Sequence, residues 1–299
     1  MSRLALKVDV DTLRGYTCGV PRLLDLFAKH RIRASIFFSF GPDNSGKAIR
    51  RIFRPGFVSK MLRTKASSTY GWKTLMYGTL LPAPLIVPSD PSILRRAYDE
   101  GHETGVHAWD HVYLQDRLGG VSKEEYLSLY EKARALCAGI CGRDPDIVAA
   151  PGWQVSRAVL EAEQELGVAW ASDVRGFSPF LPRFEGRDYR VPQIPTTLPT
   201  MDEIYGLPGI NDVTLSKAWL DGMDKEWNVL TLHAEMEGIS KLTLLENFLN
   251  MARALGVEFH TLGEYAKEAP LPRCAIVAGK LEGRAGRLAL QQEIPAEER

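Results

Sequence analysis

Long hydrophobic runs are missing from this sequence of 299 residues. No window approaches the stretch of about 18 apolar residues that marks a transmembrane helix, so we expect no membrane-spanning segment. The first ten residues do not resemble a secretory signal, because Lys7 and Asp9 interrupt the apolar stretch and no small-residue cleavage site follows. These absences predict a protein that stays on the cytoplasmic side of the membrane.

Cysteine is scarce and the charges cancel. Four cysteines do not make a disulfide framework, and we expect them to be reduced. Lysine plus arginine and aspartate plus glutamate number 37 each, so the net charge is zero and no overall field attracts nucleic acid. A hydrophobic fraction of 45% is that of an ordinary globular protein.

Acidic residues are absent from residues 44–89. The same stretch interleaves aromatic and aliphatic side chains with basic ones, a composition typical of a segment that lies on an anionic membrane. Binding of nucleic acid or of a single phosphate group, and a basic insertion packed on the domain, are the alternatives. The residues predicted to contact the membrane are Arg50, Arg51, Phe53, Arg54, Phe57, Lys60, Arg63 and Trp72.

Strand-like and helix-like segments alternate over most of the chain. Short apolar runs begin at residues 4, 34, 147, 168, 228 and 257, and amphipathic patterns fill most of the intervals. This alternation favours a parallel sheet with crossover helices, in one barrel-like α/β domain over residues 1–299. Residues 178–190 are predicted to be a loop, residues 191–200 to be extended because they contain three prolines, and the tail beyond residue 282 to be loosely held.

Polar residues recur where the predicted strands end, which is where barrels and open α/β sheets keep their chemistry. Asp9 and Asp11 close the first strand and share one of its faces. His107 and His111 are four apart, a spacing that on a helix puts both imidazoles on one face. Together they suggest a metal site whose third ligand comes from the Asp-x-Asp stretch. The alternative is that these are ordinary core or surface residues.

The order of these motifs resembles the NodB-homology polysaccharide deacetylases, carbohydrate esterase family 4. The shared order is an Asp-x-Asp after the first strand, His-x-x-x-His, an aromatic-bearing loop, an aspartate after a later strand, and a strand that ends in Leu-His. The resemblance implies a distorted (β/α) barrel of about seven parallel strands, with the basic insertion at 44–89 after the second strand. It also implies one divalent metal ion, with zinc, cobalt, manganese and iron not distinguished.

The same resemblance assigns roles to individual residues. It implies that Asp9 is the general base and His233 the general acid. It implies that the metal ligands are Asp11, His107 and His111. A second reading, in which Asp9 also binds the metal, stays open. Asp173 is predicted to orient His233, with a surface ion pair between Asp173 and Arg175 as the alternative.

One position departs from the family pattern. The third family motif normally supplies an arginine that orients the base, and this sequence has Ala149 or Ala150 there. Arg175, from the next strand end, is a candidate replacement. The residues predicted to contact the substrate are Trp109, Tyr113, Trp153 and Glu235. The alternatives are an aromatic core for the first three and a loop cap for the glutamate.

A narrower resemblance runs from residue 3 to about residue 293 and includes the insertion. It is carried by residues 8–12, 35–44, 107–111, 194–200 and 233–238. This narrower resemblance is to those family members that deformylate undecaprenyl-phosphate-linked 4-deoxy-4-formamido-L-arabinose. That reaction is a step in lipid A modification and polymyxin resistance. It implies a peripheral enzyme on the cytoplasmic side of the inner membrane, with a lipid-linked sugar substrate and no nucleic acid. The alternatives are a deacetylase of another N-acyl sugar or glycan, and a non-catalytic metal- or phosphate-binding membrane module.

Overall fold

A computed structural model describes residues 2–48, 71–224, 226–281, 284, 286–295 and 297. Most of the predicted membrane-contact residues lie outside these ranges, namely Arg50, Arg51, Phe53, Arg54, Phe57, Lys60 and Arg63. Trp72 is the member of that set that the structure describes, and 64% of its surface is exposed.

A parallel sheet of seven strands forms the centre of the fold. Its strands are β1 (Arg3–Val10), β2 (Ser35–Ser39), β3 (Glu103–Ala108), β4 (Ile147–Val148), β5 (Trp170–Ala171), β8 (Asn228–His233) and β9 (Glu258–His260). Their order is β5-β4-β3-β2-β1-β8, and β9 pairs with the first residues of β1. Because the strands are parallel, their carboxyl ends meet at one edge of the sheet.

Helices follow most of the strands. They span Val20–His30, Pro91–Asp99, His111–Arg117, Lys123–Cys141, Arg157–Leu166, Met201–Ile204, Leu215–Asp221, Leu242–Ala254 and Leu262–Glu268. Local sequence explains several of their ends. The side chains of Ser122 and Ser156 accept backbone hydrogen bonds at two helix starts, and left-handed Gly142 and Gly167 end the same two helices.

The irregular segment 191–198 bridges the two outer strands, β5 and β8. Ala171 of β5 exchanges backbone hydrogen bonds with Pro192 and Ile194. Two further N–H groups of the segment donate to the Val229 carbonyl of β8. Proline lacks an N–H donor, so this proline-rich segment bridges the strands without pairing regularly. The predicted distorted barrel is confirmed, and the bridging segment stands where a regular barrel has another strand.

A second, four-stranded sheet was not predicted from the sequence. Its order is β11-β10-β6-β7. The strands are β6 (Leu181–Phe184), β7 (Arg187–Asp188), β10 (Arg273–Gly279) and β11 (Leu288–Glu293). The expected loop at 178–190 therefore contains a hairpin, and the expectation of a loosely held tail is wrong for residues 288–293.

The last strand attaches the second sheet to the barrel. The Ala289 N–H donates to the Trp153 carbonyl, and the Gln291 N–H donates to the Arg175 carbonyl, both at 2.8 Å. These bonds use only backbone groups, so the polar side chains of this stretch gave no sign of them.

Candidate metal centre and active site

The carboxyl ends of β1, β3 and β8 bring the predicted site residues together. Asp9, within β1, is the register partner of His233 at the end of the neighbouring β8. Asp11 follows β1 directly, and His107 lies near the end of β3. Residues far apart in the sequence thus face one mouth, as the pattern of polar strand ends predicted.

Asp11, His107 and His111 form a cluster whose ligand atoms all lie within 4.8 Å of one another. His107 Nε2 is 3.2 Å from Asp11 Oδ1, and His111 Nε2 is 3.5 Å from Asp11 Oδ2. Ligand atoms arranged tetrahedrally about 2.1 Å from one ion lie about 3.4 Å apart. The spacing therefore suits a single divalent ion.

The tautomer of His107 supports the same conclusion. Its Nδ1 is 2.7 Å from the Ala149 carbonyl, which can only accept a hydrogen bond, so we place the proton on Nδ1. The lone pair of Nε2 then faces Asp11 Oδ1, a buried atom that has no hydrogen-bond partner among the described residues. Two facing lone pairs repel unless a cation lies between them, so the donor set fits a metal ion.

Electrostatics keep the carboxylate ligand ionised. Burial opposes the charge on Asp11, but positive charge at His111 and His107 outweighs it and holds the pKa of Asp11 well below its usual value. Protonated imidazoles supply that charge, and a cation between neutral imidazoles would supply it equally. One carboxylate and two imidazoles suit zinc, cobalt, manganese or iron alike.

The two histidines do not share a helix, contrary to the geometry first expected from their spacing. His107 belongs to β3, whereas His111 is the first residue of the helix His111–Arg117. Asp110 caps this helix by accepting a hydrogen bond from the Tyr113 N–H at 2.9 Å. The strand-to-helix turn leaves the two rings stacked, with centroids 5.2 Å apart.

Glu235 supports the loop that carries Asp11, and its burial contradicts the predicted contact with a substrate. The residue is fully buried. Its Oε1 accepts hydrogen bonds from the N–H groups of Asp11 and Thr12 and from the Thr12 hydroxyl, at 2.7–2.9 Å. Burial, reinforced by the charge of Asp11, raises the pKa of Glu235 to about 8.

Lys7 is the cation beside Asp9, and sequence reasoning missed it. Its Nζ is 3.3 Å from Asp9 Oδ2, and Lys7 is fully buried. A signal was present, because residues two apart in a strand share a face and Lys7 precedes Asp9 by two.

Arg175 pairs with Glu203 and does not orient Asp9, so its predicted role is wrong. Its Nη1 donates to both carboxylate oxygens of Glu203 at 2.7 and 2.8 Å. Its Nη2 donates to the Leu198 carbonyl at 3.0 Å. Arg175 therefore ties the bridging segment 191–198 to the helix that follows it.

His233 faces a carboxylate that the sequence did not reveal. Its Nδ1 is 3.8 Å from Asp202 Oδ1, and its backbone N–H donates to a carboxylate oxygen of Glu237 at 2.9 Å. Burial alone would lower the pKa of His233, but the charges of Asp202, Asp11 and Glu237 outweigh burial and raise it. A protonated imidazole at this position can act as a proton donor.

Asp173 does not fill the predicted role beside His233. Its Oδ1 accepts a hydrogen bond from the Ala150 N–H and its Oδ2 one from Gln193 Nε2, both at 2.7 Å. Burial raises the pKa of Asp173 to about 6 despite these bonds. Asp173 thus orders the turn after β4, and Asp202 takes the place beside His233.

Trp153 is a buried wall of the site, and the predicted stacking on a sugar is wrong for this residue. Only 2% of its surface is exposed. Its Nε1 donates to Thr196 Oγ1 at 3.0 Å, and its ring meets His233 edge-on with centroids 6.4 Å apart. The guanidinium groups of Arg175 and Arg284 lie 5.1 and 4.2 Å from the ring centroid. The alternative prediction, that Trp153 is an aromatic core residue, is correct.

The other two predicted aromatic contacts stay predictions. Trp109 is partly buried and its carbonyl accepts a hydrogen bond from the Gly41 N–H at 2.8 Å. Tyr113 is also partly buried, its hydroxyl donates to Glu125, and the Arg117 guanidinium is 5.6 Å from its ring.

Comparison with known proteins places this chain. A sequence model of the polysaccharide deacetylase family matches residues 5–171. The chain is 38% identical over 297 residues to "Probable 4-deoxy-4-formamido-L-arabinose-phosphoundecaprenol deformylase ArnD" of Shewanella sediminis, with coverage of 98% of this chain and 96% of that protein. A protein of the same description from Wigglesworthia glossinidia brevipalpis is 32% identical over 289 residues, with coverage of 94% and 99%.

A solved structure has the same fold. It is a family 4 acetyl xylan esterase from Clostridium thermocellum in complex with a cobalt ion, with a TM-score of 0.52. Its sequence is 14% identical to this chain, and the match covers 91% of this chain and 93% of that one. With the family match over more than half its length and the two full-length relatives, this chain belongs to the polysaccharide deacetylase family and groups within it with the ArnD relatives.

Proposed function

We propose that this protein is a metal-dependent amide hydrolase acting on undecaprenyl-phosphate-linked 4-deoxy-4-formamido-L-arabinose. It releases formate and the lipid-linked 4-amino sugar used for lipid A modification and polymyxin resistance. One observation carries the chemistry, namely that the Asp11, His107 and His111 cluster lies beside Asp9 and His233 at one edge of the sheet. The relatives named above support the choice of substrate.

The chain's own residues divide the hydrolysis between them. A divalent ion held by Asp11, His107 and His111 would supply Lewis acidity toward the formamide carbonyl and the attacking water. Asp9 accepts the proton of that water as the new C–O bond forms. His233 donates a proton to the sugar nitrogen as the C–N bond breaks, because an amine leaves poorly without one.

Formate release tests this function directly. We expect metal-dependent formate release from the lipid-linked formamido sugar, and slow or absent acetate release from its N-acetyl analogue and from N-acetyl glycans. Acetate release from a soluble glycan, with no formate from the formamido lipid, would support the alternative of a glycan deacetylase. Release of neither product by metal-loaded protein would support a non-catalytic binding module.

Replacing Asp202 by Asn should move the alkaline limb of the kcat profile to lower pH by about one unit, since a close opposite charge shifts a pKa by 1–3 units. His233 must carry its proton to act as an acid, so activity falls as the pH rises through the pKa of His233. The Asp202 charge raises that pKa, and its removal lowers it. Formate release measured from pH 5 to about pH 10 gives the pH at which activity falls on the alkaline side. Asp221→Asn, at an exposed carboxylate paired with Lys217, is the matched control. An alkaline limb of Asp202→Asn at the same pH as in the wild type would contradict the pairing of Asp202 with His233.

We also propose that the enzyme works as a peripheral protein on the cytoplasmic surface of the inner membrane, with residues 44–89 as a membrane-contacting insertion of a single domain. The substrate's polyprenyl chain resides in the bilayer, so the enzyme must approach the surface. Trp72 is largely exposed, and Lys73 Nζ is 5.8 Å from its ring centroid. No helix in the described ranges is both long and apolar enough to cross a bilayer.

Vesicle sedimentation tests the membrane contact. We expect the protein to sediment with vesicles that contain phosphatidylglycerol at low salt, and to be released at high salt because charge screening weakens the attraction. Replacing Arg50, Arg51 and Arg54 together by Ala should weaken binding about tenfold or more, since each basic residue contributes about 1 kcal/mol near an anionic surface. Replacing Arg134 and Arg143 by Ala is the control. Equal binding to neutral vesicles would contradict the electrostatic part.

A further inference from the structure

We infer that Lys7 is a positioning residue, which holds Asp9 as a proton acceptor and keeps it from binding the metal. This inference rests on the proposed function and names the group that takes the place of the arginine missing at Ala149 or Ala150.

The ammonium group of Lys7 has a defined position inside the barrel. Its Nζ is 3.3 Å from Asp9 Oδ2 and donates to the Ser172 carbonyl at 3.2 Å. Two aromatic rings flank it, with Nζ 5.6 Å from the Phe37 centroid and 5.5 Å from that of Trp153. Fully buried, the charge needs a carboxylate partner, because an unpaired ammonium in such a place is strongly unfavourable.

Asp9 is the carboxylate that Lys7 pairs with directly. Asp173 also feels the charge of Lys7, but each of its oxygens already accepts a hydrogen bond, from Ala150 or Gln193. The contact to Asp9 is the one salt bridge that Lys7 makes in the described part of the chain.

The pairing leaves the two oxygens of Asp9 unequal. Oδ2 faces Lys7, whereas Oδ1 is buried and has no hydrogen-bond partner among the residues described here. Oδ1 also lies 4.0 Å from His107 Nδ1, the nitrogen turned away from the metal cluster. Asp11, and not Asp9, completes that cluster. One oxygen is therefore held by Lys7 and the other remains available for a proton.

Lys7→Met, which keeps an unbranched apolar side chain one atom shorter than lysine and removes the charge, tests the inference. We expect kcat for formate release to fall about a hundredfold, as for a catalytic group displaced by about 1 Å, while KM changes little. Cobalt affinity should be at least that of the wild type. In the Asp9→Asn background, Lys7→Met should cause no further loss, because the group it positions is already inactive. Lys29→Met, at an exposed lysine, is the control and should leave kcat unchanged.

Three results would overturn the inference. They are wild-type kcat in Lys7→Met, a further hundredfold loss on adding it to Asp9→Asn, and loss of cobalt binding. If Lys7→Met does not fold, Lys7→Gln replaces it, both alone and combined with Asp9→Asn, and the same results are expected. A wild-type enzyme that releases no formate contradicts the proposed function instead. In that event, crystal structures of the cobalt-loaded wild type and Lys7 variant decide the inference, since an Asp9 carboxylate that does not turn in the variant would overturn it.

Discussion

Asp9→Asn is expected to lower kcat for formate release about a thousandfold, within the 10²–10⁴ range of general base catalysis. A carboxamide cannot accept the proton of the attacking water, but it keeps the shape of the carboxylate. The metal cluster of Asp11, His107 and His111 is untouched, so the protein should retain its divalent ion. A coupled formate assay measures the first effect, and elemental analysis of dialysed protein measures the second.

The matched control for this change is Asp99→Asn, at an exposed carboxylate that pairs with Arg95 on the surface. That variant should keep wild-type kcat. Wild-type turnover by Asp9→Asn would remove Asp9 as the base. Loss of the metal from Asp9→Asn would instead make Asp9 a ligand, the reading that the sequence left open.

His107→Ala is expected to remove both the bound metal and the activity, with a loss in kcat/KM of about a thousandfold or more. The metal supplies several kcal/mol of transition-state stabilisation, and each 1.36 kcal/mol is about tenfold in rate. The substitution also leaves Asp11 without its closest imidazole. Metal content and formate release, measured on the same preparation, should fall together.

His260→Ala controls for the loss of an imidazole, because His260 pairs with Glu258 and Glu264 away from the cluster. Chelation of the wild type should reproduce the effect of His107→Ala, and addition of zinc, cobalt, manganese or iron one at a time should restore activity to a degree that ranks the metals. Full activity in chelated protein or in His107→Ala would contradict a catalytic metal.

Local sequence signals predicted six of the seven strands of the central sheet, and β3 was not among them. The helix Val20–His30 fills one of the amphipathic intervals between predicted strands, where Pro21 suits a first helical turn and the apolar spacing matches one buried face. The barrel was predictable because buried parallel strands and crossover helices leave clear local patterns. The second sheet was not, since β11 pairs through its backbone and its polar side chains carry no strand pattern.

Within the site, order along the chain predicted which residues meet, but not how each is held. Spacing suggested one helix for His107 and His111, whereas a strand-to-helix turn brings them together. Glu235 lies 224 residues from Asp11 in sequence, and no pattern shows that its carboxylate binds the backbone there. The choice of Asp202 over Asp173 as the partner of His233 depends on where the bridging segment runs.

The sequence by itself determined the fold class and led to the proposed chemistry of the site, because metal ligands, base and acid require particular side chains at strand ends. Only the tertiary structure decided their partners, because a hydrogen bond or ion pair depends on distances of a few ångströms between elements remote in the chain. Lys7 belongs to both groups. Its place on the same strand face as Asp9 follows from the alternation of a β-strand, but its role beside Asp9 depends on Phe37, Trp153 and Ser172, which enclose it from other strands.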